Sequence, residues 1–520
     1  MPAEPKFRVP HPSRRVPPVS LLRPGIAILT LTLTLTLAGC KPVGPNYQRP
    51  GYAAPPAYKE TGATAVTFPP PPPPAGGGWQ PASPSDGMLR GKWWEIYNDP
   101  KLNELEDRVT TYNQTIRAGL FTYKAAIEQV HADRADFSPT LSAGPSFTHE
   151  KVSAHRPFSS DFSHSASNYN DIQLAGQASW EPDFWGRIRR TVEAANAAAQ
   201  ATNADMASVD LSLHAQLAEA YFELRGHDTQ AQLLQANIDK LSAQLDLTRR
   251  RLAGGVGNEA DVAQAQTLLD STRAQLIEVN VTRTELEHMV GSIAIIKVPF
   301  FSLPPSPYVL DSPAGPGTTL PKIPIGIPSQ LLERRPDIAA AERRAAQANA
   351  QIGIAVSAFY PTISLSGTGG FQSTHGGTWI QGPSAIWSLG AQAAALLLDG
   401  GRRKAYTNQA RDLWEASAST YKGTVFLAFN EVENKLSDLR ILEQEETAQR
   451  AAVQSAQHSL DVANTRYKGG VTSYLEVLTA ENALIQAQRT LAELRSRQFT
   501  ASVELIRALG GGWDSSQIPK

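Results

Sequence analysis

The chain has 520 residues, is 41% hydrophobic, carries a formal net charge of −1 and contains one cysteine, Cys40. A single thiol excludes a disulfide framework and any Cys-x-x-Cys metal or redox site, and the near-neutral balance gives nucleic acid nothing to bind. No run of 18 apolar residues occurs, which excludes a transmembrane helix, so any part that enters a bilayer must do so as strands.

Lys6, Arg8, Arg14, Arg15 and Arg23 precede an apolar stretch from Ile26 to Ala38, and Leu37-Ala38-Gly39-Cys40 closes it. A basic region, a short apolar segment and small residues at the cut read as a secretory signal, here of lipoprotein type. The Leu/Thr alternation from Leu31 to Leu37 would also suit a half-buried strand with Cys40 as a core residue, but that reading explains neither the N-terminal charge nor the small-residue cut. Pro17 and Pro18 follow Arg14-Arg15 where a twin-arginine signal wants bulky apolar residues. Residues 1–39 are therefore expected to be a signal peptide, and Cys40 the lipidated mature N-terminus, which leaves no free thiol. Lys41 follows Cys40 where inner-membrane retention resembles a rule that reads Asp, so outer-membrane delivery is expected. Removing residues 1–39 takes away five basic groups and Glu4 and leaves a mildly acidic body. Residues 40–92, with six consecutive prolines at 69–74 and Gly76-Gly77-Gly78, read as a lipidated Pro/Gly-rich tether of polyproline-II type.

The rest of the chain is duplicated. Arg251-Leu252-Ala253-Gly254-Gly255-Val256 aligns with Arg466-Tyr467-Lys468-Gly469-Gly470-Val471, and Asp261-Val262 then falls on Glu476-Val477. Phe137-Ser138-Pro139-Thr140 echoes Tyr360-Pro361-Thr362, and Gly186-Arg187 echoes Gly401-Arg402. Each half predicts a helix, two strands, a very long helix, a Gly turn and a further helix. The long helices run Arg187 to Ala253 and Arg402 to Lys468, each roughly 100 Å at 1.5 Å per residue. The shorter ones cover Leu102 to Ala135, Glu259 to Val290, Asp337 to Ser357 and Ser473 to Leu509. Gly226 and Gly423 weaken the long helices by about 1 kcal/mol each relative to Ala without stopping them. Alanine-rich faces beside Gln, Asn and Glu suit close packing with a wet side. A rod-like coiled coil would share that pattern.

The strands argue against a plain rod. Ile363, Leu365 and Phe371 alternate with Thr362, Ser364, Ser366, Thr368 and Gln372; Ile172, Leu174, Ala178 and Trp180 alternate with Gln173, Gln177 and Ser179; Leu141, Ala143 and Phe147 alternate with Thr140, Ser142, Ser146 and Thr148. A fourth strand around Ala385 to Leu398 alternates less cleanly. Segments of about ten residues, apolar on one face and polar on the other, are the signature of a transmembrane barrel. Four strands cannot close one, so the chain must oligomerise. A dimer gives eight strands and a filled interior, whereas a trimer gives twelve and leaves a passage.

Leu331-Leu332-Glu333-Arg334-Arg335-Pro336-Asp337-Ile338, continuing through Ala341-Glu342 to Phe359-Tyr360-Pro361, resembles the TolC-like outer-membrane efflux channels, in the lipoprotein branch of OprM/NodT type. Trp93-Trp94, Asp99-Pro100, Trp180-Glu181-Pro182-Asp183-Phe184-Trp185-Gly186-Arg187 and the two Gly turns match as well. The resemblance implies a mainly α fold with a membrane β part: duplicated helix-strand-strand-long helix-helix halves whose trimer forms a 12-stranded β-barrel continuous with a 12-helix periplasmic α-barrel. It divides the chain into a first TolC-like repeat at 93–330, a second at 331–511 and a C-terminal tail at 512–520. It implies a homotrimer that meets a periplasmic membrane-fusion adaptor at tips carrying Gly254, Gly255, Gly257, Gly469 and Gly470, where the bland alternative is a plain helix cap. Beyond the adaptor it implies an inner-membrane RND-type pump. It places a periplasmic gate at Asp261, Tyr467, Thr472 and Glu476. Thr472 stands where some relatives carry Arg, which argues against a salt-bridge latch. Three copies of Glu476 would make a cation-attracting ring, unless Glu476 and Asp261 simply complement helix N-termini.

No catalytic motif occurs, and no cofactor is expected beyond the lipid on Cys40. Gly254-Gly255-Val256-Gly257 follows a helix and not a strand, so it is no phosphate loop. His149, His155 and His164 fall in a polar stretch read as a loop between the first two strands. The leading function is a passive exit duct for drugs or small molecules in the outer membrane. The alternatives are the duct of a type I protein secretion system and a structural periplasmic coiled-coil lipoprotein.

Overall fold

The computed structural model describes residues 41–55, 57–61, 91–153, 167–308, 320–326 and 328–519. The signal peptide, Cys40, the polyproline run, His155 and His164 lie outside the described residues. The chain forms two compact units, one taking Phe137–Arg190 and Gly353–Arg403 with residues up to Gly44, the other taking Pro45–Asp136, Thr191–Ile352 and Lys404–Lys520.

The first unit holds one antiparallel sheet in sequential order: β1 (Thr140–Val152), β2 (Ser167–Trp180), β3 (Thr362–Ser373) and β4 (Ala385–Ala394). Its register collects the alternating residues into continuous rows. Leu141, Ala178, Gly367 and Leu389 pair across the sheet, as do Pro145, Leu174, Phe371 and Ala385. Ser142, Gln177, Thr368 and Ser388 form a row of the opposite parity, so one face is apolar and the other polar. The apolar face is bare: Leu141 and Trp387 are each 79% exposed and Leu389 82%. The fourth strand ends at Ala394, short of Leu398, and within it Trp387, Leu389 and Ala391 keep the apolar register. The expected loop position of His149 is corrected. β1 continues past it, His149 pairs with Asn170, and its Nδ1 lies 2.7 Å from the Asn170 Oδ1.

In the second unit the expected helix from Leu102 to Ala135 is two helices, α1 (Pro100–Tyr112) and α2 (Gln114–Ala135). Asn113 ends one in an extended conformation, and its side-chain oxygen then caps the Thr115 and Ile116 N–H groups of the next. The long helices keep their expected bounds as α3 (Arg187–Ala253) and α7 (Arg402–Lys468), followed by α4 (Glu259–Ile293) and α8 (Tyr474–Ala508). Asp183 starts α3 by accepting from the Ile188 and Arg189 N–H groups at 3.0 Å each, beside Gly186 at φ +81°. Between the halves, a one-turn helix α5 (Leu331–Arg334) stops because Pro336 forces Arg335 out of helical geometry, and α6 (Pro336–Ser357) begins on that proline.

Trp93, Trp94 and Tyr97 pack with Leu102, Leu105, Tyr221, Phe222 and Phe499 in the largest core cluster. There α3 and α8 approach closely, for a Cβ built on Gly226 would stand 2.6 Å from the Ser496 Cβ. The described part of the Pro/Gly-rich stretch is not a free tether. In the first unit the Val43 N–H donates to the Trp185 carbonyl. In the second, Arg49 bonds Glu333 and Tyr421, Tyr52 stacks on Phe429, Tyr58 is 2% exposed, and Glu433 accepts from the Lys59 and Glu60 N–H groups. Aromatic side chains interleaved with the prolines give this segment an apolar payload that a linker composed of Pro and Gly lacks.

Candidate functional site at the hairpin tips

The α3–α4 and α7–α8 hairpins end in the same turn. Gly255 and Gly470 take φ +73° and +72°, the Val256 N–H donates to the Arg251 carbonyl, and the Val471 N–H donates to the Arg466 carbonyl, a Schellman cap in both halves. Positive φ requires glycine at Gly255 and Gly470. Gly257 is required for space, since a Cβ there would lie 2.7 Å from the Leu252 nitrogen, whereas Gly254 and Gly469 would accommodate one at ordinary contact distance. Val256 and Val471 crown the two turns at 71% exposure each, apolar tips that the sequence reading passed over in favour of the glycines.

Around these turns, Tyr467 lies between Arg251, whose guanidinium stands 4.6 Å from its ring centroid, and Tyr474, ring to ring at 5.2 Å. The two hairpins are thus joined by an Arg–Tyr–Tyr stack near their ends, a contact worth about 0.5–1 kcal/mol per cation–π pair at an exposed site. Glu476 pairs with Arg466 of its own hairpin at 3.6 Å, both about half exposed. Such a pair contributes little stability, but it offsets part of the charge that Glu476 would present. Asp261 sits half-buried in the first turn of α4, its N–H on the Asn258 carbonyl, with no ion pair among the described residues. The Thr472 hydroxyl is buried without a hydrogen-bond partner. Asp261 and Glu476 both occupy first helical turns, where a carboxylate complements the macrodipole.

The Arg334-to-Glu342 motif is placed elsewhere in the same unit and does structural work. Arg335 makes two bonds to Asp337 at 3.0 and 2.8 Å, one to Glu431 at 2.7 Å and one to the Ala508 carbonyl at 3.0 Å, fastening the start of α6 to the end of α8. Pro336 opens α6, Arg334 is buried with its carbonyl against Gly510, and buried Glu342 accepts the Tyr47 hydroxyl at 2.5 Å.

Three buried charged groups escaped the sequence reading. Asp228, in α3, accepts from Arg225 at 3.0 Å and Arg283 at 2.6 Å, and Arg283 also holds Glu287; both acids take backbone N–H groups of the 301–308 segment. Glu106 is fully buried against His214 at 2.5 Å, under the stacked Trp94 ring. Glu481 lies in the apolar stripe of α8. The spacings Arg225/Asp228 and Arg283/Glu287 are helix-pair spacings, the one signal in the sequence that could have found the first group.

The sequence profile of the outer membrane efflux protein family matches residues 107–288 and 327–511. OprJ, an outer membrane protein of Pseudomonas aeruginosa, is 29% identical over 500 residues, covering 95% of this chain and 98% of its own. TtgC, a toluene efflux pump outer membrane protein of Pseudomonas putida, is also 29% identical, over 94% of this chain and 96% of its own. The solved outer-membrane channel OprN superposes with a TM-score of 0.79 at 27% identity, over 91% of this chain and 99% of that one. The duplicated hairpins, the four-stranded sheet and the matched residues agree: this chain belongs to the outer membrane efflux protein family.

Proposed function

We propose that the chain is the outer-membrane exit duct of a tripartite efflux system, passing small molecules delivered by an inner-membrane RND-type pump through a periplasmic adaptor, and closing as a homotrimer. The observation that supports this most is the sheet. It has an apolar face with no protein cover, a polar face, and one unpaired edge on each of β1 and β4. Open edges and bare apolar surface belong in a closed barrel within lipid, and four strands fall short of the roughly eight that the smallest such barrels use. Three copies supply twelve strands and, from four hairpin helices each, twelve staves.

In this reading the tips are the periplasmic mouth. Val256 and Val471 with the glycine turns offer a small apolar surface to the adaptor, and the Arg251–Tyr467–Tyr474 stack, Asp261, Thr472 and Glu476 lie where the passage narrows. Cys40 carries lipid that anchors the N-terminus. Native mass spectrometry in detergent, with single-channel recording in planar bilayers, tests the duct. A trimer that conducts ions is the expected result, and a monomer or dimer without conductance would overturn it. Intact mass of the membrane form tests Cys40, which should begin the mature chain and bear acyl groups.

A further inference from the structure

Near the tips, α8 presents one continuous buried stripe: Tyr474, Val477, Leu478, Glu481, Leu484 and Ile485. The apolar members of this stripe close a cluster with Leu234, Ile238, Leu241 and Leu245 of α3, with Ala265 and Leu269 of α4 and with Leu460 and Ala463 of α7. Glu481 is the one acid in that stripe. It is 5% exposed, and its Oε2 has no hydrogen-bond partner. The corresponding position of the other hairpin is Gln266, which is neutral and bonds Asp270 and Arg249 at 2.8 Å. An apolar residue at 481 would pack without the desolvation cost that an unpartnered carboxyl carries. A polar group retained against that cost in a seam between two packed helices is a candidate switch.

We propose that Glu481 is a proton-operated latch of the periplasmic mouth: neutral, it lets α8 seal against α3, and ionised, it loosens that seam and favours opening. The physical basis is burial. Desolvation raises the Glu481 carboxyl above the ordinary carboxylate value, opposed only by the positive charge of Lys240 on α3. On its own helix Glu476 stands in the half-exposed first turn, and Tyr474, in the same buried stripe, has a hydroxyl that burial pushes up to about 12 as it faces Thr248 and Gln244 of α3, so the tyrosine stays neutral through the working range. The Gln275–Arg489 hydrogen bond puts Asp270 of α4 near this level, and the Gln449–Ala487 contact with the Tyr467–Tyr474 stack does the same for His458 and Asp461 of α7. All three are exposed. Opening the seam would return Glu481 to water and to its ordinary titration. The closed state therefore holds the proton longer, and closure weakens as pH rises from the ordinary carboxylate value through the raised one. Each unit of difference changes the open-to-closed ratio about tenfold per subunit.

The proposal rests on the tips being the channel's mouth, and its test separates the two. The purified full-length protein is recorded in planar bilayers in potassium chloride from pH 4.5 to 8.5. Wild type should gain open events as pH rises, Glu481→Gln and Glu481→Leu should show a flat course, and His458→Gln should keep the wild-type one. Amide hydrogen exchange of residues 474–485, relative to Glu481→Gln, should rise over the same range. A pH-independent wild type, or a Gln variant that keeps the wild-type course in both readouts, overturns the latch while leaving the duct standing. No current from any variant at any pH overturns the duct and the latch together.

Discussion

His214 and Glu106 show how much one buried pair can be made to do. Burial alone would lower His214, but its ring N–H groups facing the Asp210 and Glu106 carboxylates outweigh it and raise it to about 9, while burial carries Glu106 up to about 7 against the pull of His214. Both groups thus hold protons more tightly in the fold than in the unfolded chain. The His214 contribution is complete below its ordinary 6.5 and lost as pH rises through about 9, and the Glu106 contribution declines between 4.5 and about 7. Stability should fall from pH 6 to pH 9.5, read as a lower thermal midpoint, and the Glu106→Gln/His214→Gln double variant should flatten that slope. In the proposed trimer, with the tips as its mouth, three Glu476 carboxylates should make the channel cation-selective and open to block by multivalent cations from the periplasmic side. Glu476→Ala should weaken the block without disturbing the fold, since the side chain is half exposed and, among the described residues, pairs with Arg466 alone. Unchanged selectivity would reduce Glu476 to a dipole-complementing residue.

At the scale of elements, legibility followed physical periodicity. The two 67-residue helices were readable to the residue because Gly turns, absent prolines and the repeated Gly-Arg start fix their ends. Three strands were readable because apolar and polar residues alternate along them; the fourth alternates less cleanly and ends at Ala394, and β1 was misjudged where His149, Glu150 and Lys151 are all polar. Asn113 was missed as a break because nothing apolar marks it; its effect comes from a side chain that caps one helix where another ends. The gate residues came from resemblance and not from spacing, and the buried acids were invisible because a charge in a helical stripe usually faces water. Gly226 had read as a tolerated helix weakener, yet it is the contact point of α3 with Ser496. Gly226→Ala should gain helix propensity and still destabilise by about 1–3 kcal/mol through overpacking. The Gly226→Ala/Ser496→Gly pair should recover part of that loss in chemical denaturation, and equal losses in single and double variants would refute the contact.

At the scale of the whole molecule, relatives named for toluene efflux, antibiotic efflux and pyoverdine export align with most of this chain while their names differ in cargo. That fits a duct whose wall is polar on one face of the sheet. The unpaired borders of β1 and β4 carry a further consequence. Two separate copies have four free borders and a joined pair has two; a third copy then forms two junctions at once and removes every border that remains. The pair gains one junction, whereas the closed ring gains two more for a single added copy, so assembly should be strongly cooperative, with few free dimers at equilibrium. A chain truncated before Ala385 could enter a nascent ring and never complete it. Co-expressed with the intact protein, it should poison function well beyond its share of the population, and drug susceptibility measured against its dose would show a steeper than linear loss.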